Sequence, residues 1–138
     1  MNTFESNERQ VDHLSCAADQ YRITTLINYI QTHHQEKVTL ADIAKSASIS
    51  RGECCRFFQR MIHMTPFSYL NEYRIFQSVS VLVENNLSIT EISEVVGFSS
   101  ISFYTSTFKK QIKCSPREYR KRYLRISRIP HEVFLTKY

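Results

Sequence analysis

Glycine and proline are scarce in this chain of 138 residues, which contains two glycines and three prolines. The turns of a β-sandwich or barrel depend on these residue types, so such folds are disfavoured, and a glycine-rich phosphate loop is excluded. No run of about 18 apolar residues is present, so the sequence predicts no membrane span. Hydrophobic residues nevertheless make up 42% of the chain, which is enough for a packed core. We therefore expect helices joined by short turns.

The start of the chain and its four cysteines exclude further classes of protein. The first residues, MNTFESNERQVD, have neither the basic end nor the apolar middle of a signal peptide, which favours a cytoplasmic protein. The four cysteines form no C-x-x-C pair and no spaced Cys/His quartet, so the sequence specifies no disulfide framework, no metal site and no cofactor. We interpret them as reduced thiols.

The net charge of +5 is unevenly distributed. Residues 1–20 carry one basic and four acidic side chains, whereas residues 109–128 carry nine basic side chains and one acidic one. The second segment would attract any polyanion, although such a run on its own is equally typical of a solvated basic helix. The sequence pattern upstream of residues 109–128 favours a surface that binds a polyanion.

A unit of about 50 residues occurs twice. At an offset of 49, TLADIAKSASIS (39–50) aligns with SITEISEVVGFS (88–99). At an offset of 50 the match continues and pairs Phe-Gln-Arg (58–60) with Phe-Lys-Lys (108–110), and Thr65-Pro66 with Ser115-Pro116. Caps and core positions coincide together, so we interpret the match as an internal repeat.

Each repeat predicts a helix-turn-helix. Thr39-x-x-Asp42 and Ser88-x-x-Glu91 are capping boxes, and apolar residues at helical spacing follow each of them. In the second unit the turn falls at Gly97, which can adopt a positive φ. Ser48 occupies the equivalent place in the first unit, so either the turn differs there or a left-handed serine is tolerated at a cost of about 1 kcal/mol.

The helix after each turn has one apolar and one polar face. Ser50-x-x-Glu53 is a further capping box, and Ser99 or Ser100 caps the equivalent helix of the second unit. The predicted buried residues are Cys54, Phe57, Phe58 and Met61 in the first helix and Tyr104, Phe108 and Ile112 in the second. The opposite faces are therefore free to contact a ligand.

A long helix is expected between the two units, from Thr65-Pro66 to the breaker Glu84-Asn85-Asn86. Its predicted buried side consists of Leu70, Tyr73, Phe76, Val79 and Val83. About 20 residues span roughly 30 Å, which is close to the ~34 Å repeat of B-DNA. Two helices held apart by such a strut can enter successive major grooves. The fold class we predict is all-α, with about seven helices in two helix-turn-helix subdomains joined by this helix.

The residues resemble the AraC/XylS family of bacterial transcription regulators over about residues 21–124. The most specific stretch is GFSSISFYTSTFKKQIKCSPREYRKR (97–122), supported by residues 40–75. The resemblance implies the first helix-turn-helix at about 39–63, the linker helix at 65–84, the second helix-turn-helix at 88–113 and a final helix at 115–124. Residues 1–20 are expected to form a polar, flexible segment, and residues 125–138 a tail.

The resemblance also implies a function. Family members bind double-stranded DNA, and many carry a ligand-binding domain ahead of the DNA-binding one. Only about 20 polar residues precede Tyr21, so we expect no inducer domain and a resemblance to the short members that act as monomeric activators. Recruitment of RNA polymerase is implied by the family alone.

Base-contacting and phosphate-contacting residues follow from side-chain chemistry on the two polar faces. Arg56 can make a bidentate contact with guanine, and other cations suit phosphates. Between residues 99 and 108 there is no Arg, Asn or Gln, so we expect sequence discrimination to lie in the first unit. The candidate base contacts are Arg51, Gly52, Cys55, Arg56, Gln59, Ile101, Ser102, Thr105 and Ser106. The candidate phosphate contacts are Arg60, Lys109, Lys110, Arg117, Arg120 and Lys121.

Two other classes of protein, an enzyme and an interaction protein, are alternatives to a DNA-binding regulator. An enzyme would need Cys54 or Cys55 with His63, but Cys54 lies on the apolar stripe, so we expect no enzymatic activity. Cys55 beside two arginines could instead make DNA binding sensitive to oxidation, which a Cys55→Ser variant would abolish. The main alternative is an interaction protein of the same fold that antagonises another regulator or polymerase without binding specific DNA.

Overall fold

The computed structural model describes residues 2–127, with side chains described for residues 15–123. Seven helices and no strand occur in this part of the chain, which confirms the predicted all-α class. The helices are α1 (Asn2–His33), α2 (Leu40–Ser46), α3 (Arg51–Ile62), α4 (Pro66–Glu84), α5 (Ile89–Val95), α6 (Ile101–Ile112) and α7 (Pro116–Ser127). Most of the predicted tail over 125–138 lies outside the described residues.

Helix α1 differs from the prediction for the start of the chain. Residues 2–20, expected to form a flexible segment, are helical and continuous with residues 21–33. This stretch contains no glycine or proline, and its Ala, Glu, Gln and Arg residues have high helix propensity. The polar composition of residues 2–20 therefore does not interrupt the helix.

The chain divides into two compact units within the described residues. The first comprises residues 2–33 and 38–69, and the second comprises residues 34–37 and 70–127. In the first unit α1 packs on α2 and α2 on α3, and in the second α5 packs on α6 and α6 on α7. The first core contains Ile23, Leu26, Ile30, Val38, Ile43, Ala44, Cys54, Phe57 and Phe58. The second contains Ile75, Leu82, Ile92, Val96, Phe98, Tyr104 and Phe108.

Helix starts follow the predicted caps. The Thr39 hydroxyl accepts the Asp42 amide at 3.1 Å while the Asp42 carboxylate accepts the Thr39 amide at 3.1 Å, which completes the box. These hydrogen bonds lower the pKa of Asp42. The box at Ser88 is also complete. Ser50 accepts the Glu53 amide at 3.2 Å, but the return bond is absent from the described contacts, so only half of that box forms.

Backbone conformation repeats with the sequence. Ser48 has φ 55° and Gly97, 49 residues later, has φ 98°. The serine is thus left-handed, which settles the open question about the first turn. His63 (φ 64°) and Lys113 (φ 75°), 50 residues apart, are the left-handed caps that end α3 and α6. The duplication therefore extends to the unusual backbone positions.

The buried face of the linker helix α4 is not the predicted one. Phe76, expected in the core, is 70% exposed, and Tyr73, Val79 and Val83 are only half-buried. Beyond Pro66 at the start of the helix, the buried residues are Leu70, Arg74, Ile75, Ser78 and Leu82. The predicted face was based on apolar residues alone. Arg74 and Ser78 are nevertheless buried, because their polar groups donate hydrogen bonds to carbonyls. The true face is rotated by about one residue, or ~100°, around the helix.

Tyr104 carries a buried hydroxyl with no hydrogen-bond partner among the described residues. The neighbouring Ser78 hydroxyl donates to the Ile75 carbonyl at 2.7 Å instead. Burial raises the pKa of Tyr104, and the proximity of the Ser78 hydroxyl and the charge of Arg120 reduce this increase, although the geometry of the Ser78 contact is not that of a hydrogen bond.

We expect Tyr104→Phe to leave the free energy of unfolding unchanged or to raise it by about 1 kcal/mol, because it removes an unpaired buried polar group. Urea denaturation of both proteins measures this difference. A loss above about 1 kcal/mol would show that the hydroxyl has a stabilising partner.

Candidate nucleic-acid interface

Helix α3 has a core face and a free polar face. Cys54, Phe57 and Phe58 are buried. On the opposite side, Arg51, Gly52, Arg56, Gln59 and Arg60 are exposed and Cys55 is half-buried. The side chains expected to contact bases in the first unit are thus accessible on one surface.

A shallow, open groove of about 620 Å³ lies against this polar face. It is lined by Cys55, Arg56, Gln59, Arg60, His63 and Thr65. Two guanidinium groups give the groove a positive charge, which suits a polyanionic ligand. His63 and Thr65 were missing from the predicted contact set. The left-handed cap at His63 turns the chain back beside α3, and periodicity carries no signal for that turn.

Gly52 leaves space for the Arg56 side chain. A Cβ atom at this position would lie 3.2 Å from Nη1 of Arg56, so the guanidinium is folded back along the helix against the glycine. Because the neighbour is the end of a flexible side chain, a methyl group here would displace Arg56 with little cost to the helix.

Cys54 on α3 is a buried core residue. Burial, together with the nearby Cys55, raises the pKa of Cys54 to about 11, which keeps it a neutral thiol. Within residues 15–123 no group of three His, Cys, Asp or Glu side chains is placed to hold a metal ion. Among the described residues, no helix has both the length and the apolar character needed to cross a membrane.

Helix α6 presents a different surface from α3. Ser100 caps it by accepting the Phe103 amide at 3.1 Å. Ile101, Ser102 and Ser106 are exposed, and Thr105 is half-buried. The Ser106 hydroxyl donates to the Phe103 carbonyl at 3.1 Å, which leaves its oxygen as an acceptor only. The face offers apolar groups and hydroxyls and no bidentate donor.

Most of the predicted phosphate-contacting cations are exposed. Lys109 and Lys110 lie on α6, and Arg117 and Lys121 lie on α7. Arg60 is exposed on α3, where it is 3.5 Å from the carboxylate of Asp19.

Arg120 differs from the rest of this set because it has a structural role. Its guanidinium donates to the carbonyls of Leu82 (3.0 Å), Asn85 (3.4 Å) and Leu87, at and just after the end of α4. These carbonyls have no partner within the helix ladder, so a half-buried arginine stabilises the helix end. Its Nε–H and Nη2 donors are used inside the protein, which leaves only the Nη1 donors for a phosphate. In the sequence, Arg120 is one of several cations in the basic segment 109–128, and nothing there indicates its contacts with carbonyls.

We expect Arg120→Ala to lower the free energy of unfolding by about 2 kcal/mol, because three carbonyls lose a charged donor. Lys121→Ala is the matched control and should change stability by less than about 0.5 kcal/mol. Urea denaturation compares the two. An Arg120→Ala protein of unchanged stability but weakened duplex binding would restore the phosphate role.

Comparison with known proteins decides the family. A family model described as a helix-turn-helix domain matches residues 43–122, more than half of the chain. A solved transcriptional regulator with an AraC-type DNA-binding domain, from Chromobacterium violaceum, is 28% identical and superposes with a TM-score of 0.70. The match covers 76% of this chain and 94% of that one. The chain belongs to the AraC/XylS family.

Two curated relatives with names of transcription regulators match part of this chain. The uncharacterized HTH-type transcriptional regulator YdeC of Bacillus subtilis is 42% identical over 101 residues, which cover 73% of this chain and 35% of YdeC. The transcriptional regulatory protein HptR of Staphylococcus aureus is 33% identical, with 73% and 40% covered. The chain thus spans less than half the length of these curated relatives.

A DNA complex is known for a similar domain. The DNA-binding domain of AdpA, solved with a target DNA, is 26% identical with a TM-score of 0.69, and the match covers 75% of this chain and 92% of that one. The family and fold are those of DNA-binding transcription regulators, which are not enzymes. The chain is therefore a DNA-binding helix-turn-helix regulator of the AraC type.

Proposed function

We propose that this protein binds an asymmetric DNA site as a monomer in the cytoplasm and activates transcription by recruiting RNA polymerase. In this proposal α3 and α6 enter successive major grooves. The observation that carries it is the duplicated helix-turn-helix, in which both second helices are capped by serine and expose one face.

The linker helix supports a bipartite site. Helix α4 has 19 residues, which correspond to about 28 Å at 1.5 Å per residue. This length is of the same order as the ~34 Å between successive major grooves on one side of a duplex. A duplicated reading unit with such a connector favours two half-elements about one helical turn apart.

The two units contribute unequally to sequence discrimination in this proposal. Arg56 on α3 contacts guanine with both ends of its guanidinium, with Arg51, Cys55 and Gln59 beside it. Helix α6 contacts thymine methyl groups through Ile101 and accepts or donates single hydrogen bonds through Ser102 and Thr105. Arg60, Lys109, Lys110, Arg117 and Lys121 contact phosphates and set the register without reading sequence.

Activation and polymerase recruitment rest on the family resemblance, so they need their own test. A selected duplex site is placed upstream of a weak promoter and transcribed with bacterial RNA polymerase, with and without the protein. We expect more transcript with wild type and no increase with Arg56→Ala. A footprinted site with unchanged or reduced transcript would contradict the activator role. Binding without any sequence preference would instead favour the antagonist.

A further inference from the structure

Two arginines from different helices meet over one aromatic ring in the first unit. The guanidinium carbons of Arg22 on α1 and Arg60 on α3 each lie 5.3 Å from the centre of the Phe57 ring. The ring is buried in the core, whereas both arginines are exposed. The buried ring therefore positions two exposed cations, since the face of an aromatic ring attracts guanidinium groups.

The positive charge at this place is only partly neutralised. The Asp19 carboxylate lies 3.5 Å from Nη2 of Arg60, and the side chains of Arg60 and Asp19 are 64% and 26% exposed. A strong charge-assisted hydrogen bond between such groups is about 2.7–2.9 Å long, so this pair is loose and hydrated. The Asp19 carboxylate thus weakly neutralises Arg60, one of the two cations beside the ring.

The position of the pair relates it to the candidate interface. Arg60 lines the groove of α3 together with Arg56 and Gln59. Arg22 lies outside both helix-turn-helix motifs, and sequence patterns gave no reason to select it. Because both guanidinium groups are 5.3 Å from one ring centre, they are at most twice that distance apart, which is within the reach of adjacent backbone phosphates.

We propose that Arg22 and Arg60 form a clamp for the phosphate backbone of one DNA strand, and that the Asp19 carboxylate holds the Arg60 side of this clamp in the free protein. DNA binding replaces the carboxylate with a backbone phosphate, whose two non-bridging oxygens suit the bidentate geometry that guanidinium groups favour. Asp19 then acts as a built-in competitor that weakens binding to all duplexes alike. This inference rests on the proposed DNA-binding function and extends the interface to α1.

The test measures binding of a selected and a scrambled duplex across a salt series for wild type, Arg22→Gln and Asp19→Asn. We expect Arg22→Gln to weaken both duplexes by about 3- to 10-fold at low salt and to reduce the salt slope by about 0.9, the value for one lost phosphate contact. Asp19→Asn should tighten both duplexes by about 2- to 5-fold. Lys45→Gln, which removes an exposed cation from α2, is the control for the change in net charge.

The possible negative results distinguish failure of the clamp from failure of the proposed DNA-binding function. In the first, Arg22→Gln reduces the affinity and the salt slope no more than Lys45→Gln does, while Arg56→Ala still reduces the preference for the selected duplex. In that case the clamp is wrong and the proposed DNA-binding function is retained. If Asp19→Asn weakens binding, the carboxylate orients Arg60 and the competition is wrong. If wild type binds no duplex in a salt-dependent way, the clamp and the proposed function both fail. Circular dichroism confirms that each variant is folded.

Discussion

Replacing Gly97 with serine should lower the free energy of unfolding by about 3 kcal/mol. Gly97 has φ 98°, where a side chain is strained by about 1 kcal/mol or more. A Cβ atom there would also overlap the carbonyl oxygen of His34 and lie 2.9 Å from Nε of Arg74. Both neighbours belong to one hydrogen-bonded contact, so the added atom acts beyond the turn itself.

That contact involves a buried charge. Arg74 is 8% exposed and donates to the carbonyls of His34 at 2.7 Å and Glu36 at 2.9 Å. Burial lowers the pKa of Arg74, and its guanidinium also lies over the Phe98 ring. Moving the His34 carbonyl leaves a buried guanidinium without one of its acceptors, which costs about 2 kcal/mol.

The first unit supplies the matched control, because Ser48 already holds the equivalent position with φ 55°. We expect Ser48→Gly to leave stability unchanged or raise it by up to about 1 kcal/mol, since relief of strain is offset by chain entropy. Urea denaturation of both variants separates the two causes. A Gly97→Ser cost of only about 1 kcal/mol would mean that backbone strain acts alone and the Arg74 contact adapts.

Replacing Arg56 with alanine should reduce the preference for a selected duplex over a scrambled one by about 5- to 150-fold, which corresponds to 1–3 kcal/mol. Arg56 is exposed, so stability should be unchanged. Arg56→Lys retains the charge but lacks the guanidinium fork, so it should recover affinity for scrambled DNA without recovering the preference. Fluorescence anisotropy with both duplexes measures these effects. An unchanged preference in Arg56→Ala would exclude the bidentate contact.

Local features of the fold were predictable from sequence. The caps at Thr39, Ser50, Ser88 and Ser100 depend on side chains bonding to amides three residues away, so short spacing identifies them. The faces of α3 and α6 were predicted for the same reason, since a 3.6-residue period determines which side chains lie together. The left-handed turn at Gly97 follows from the residue type itself.

Non-local features were not predictable. Arg74 and Arg120 look like surface cations in sequence, yet each bonds to carbonyls more than 30 residues away. The rotated face of α4 and the structural role of Arg120 both follow from this. Arg22 entered the candidate site only because the fold brings α1 to the Phe57 ring. Such contacts depend on tertiary packing, which periodicity does not encode.

The most direct test of the bipartite DNA-reading account is selection from a randomised duplex pool with wild type and Arg56→Ala, followed by binding of the winners across a salt series. The account predicts an asymmetric site with two half-elements about one helical turn apart, of which Arg56→Ala relaxes only one. A pool that yields no motif, and only a salt-sensitive affinity that ignores sequence, would contradict it.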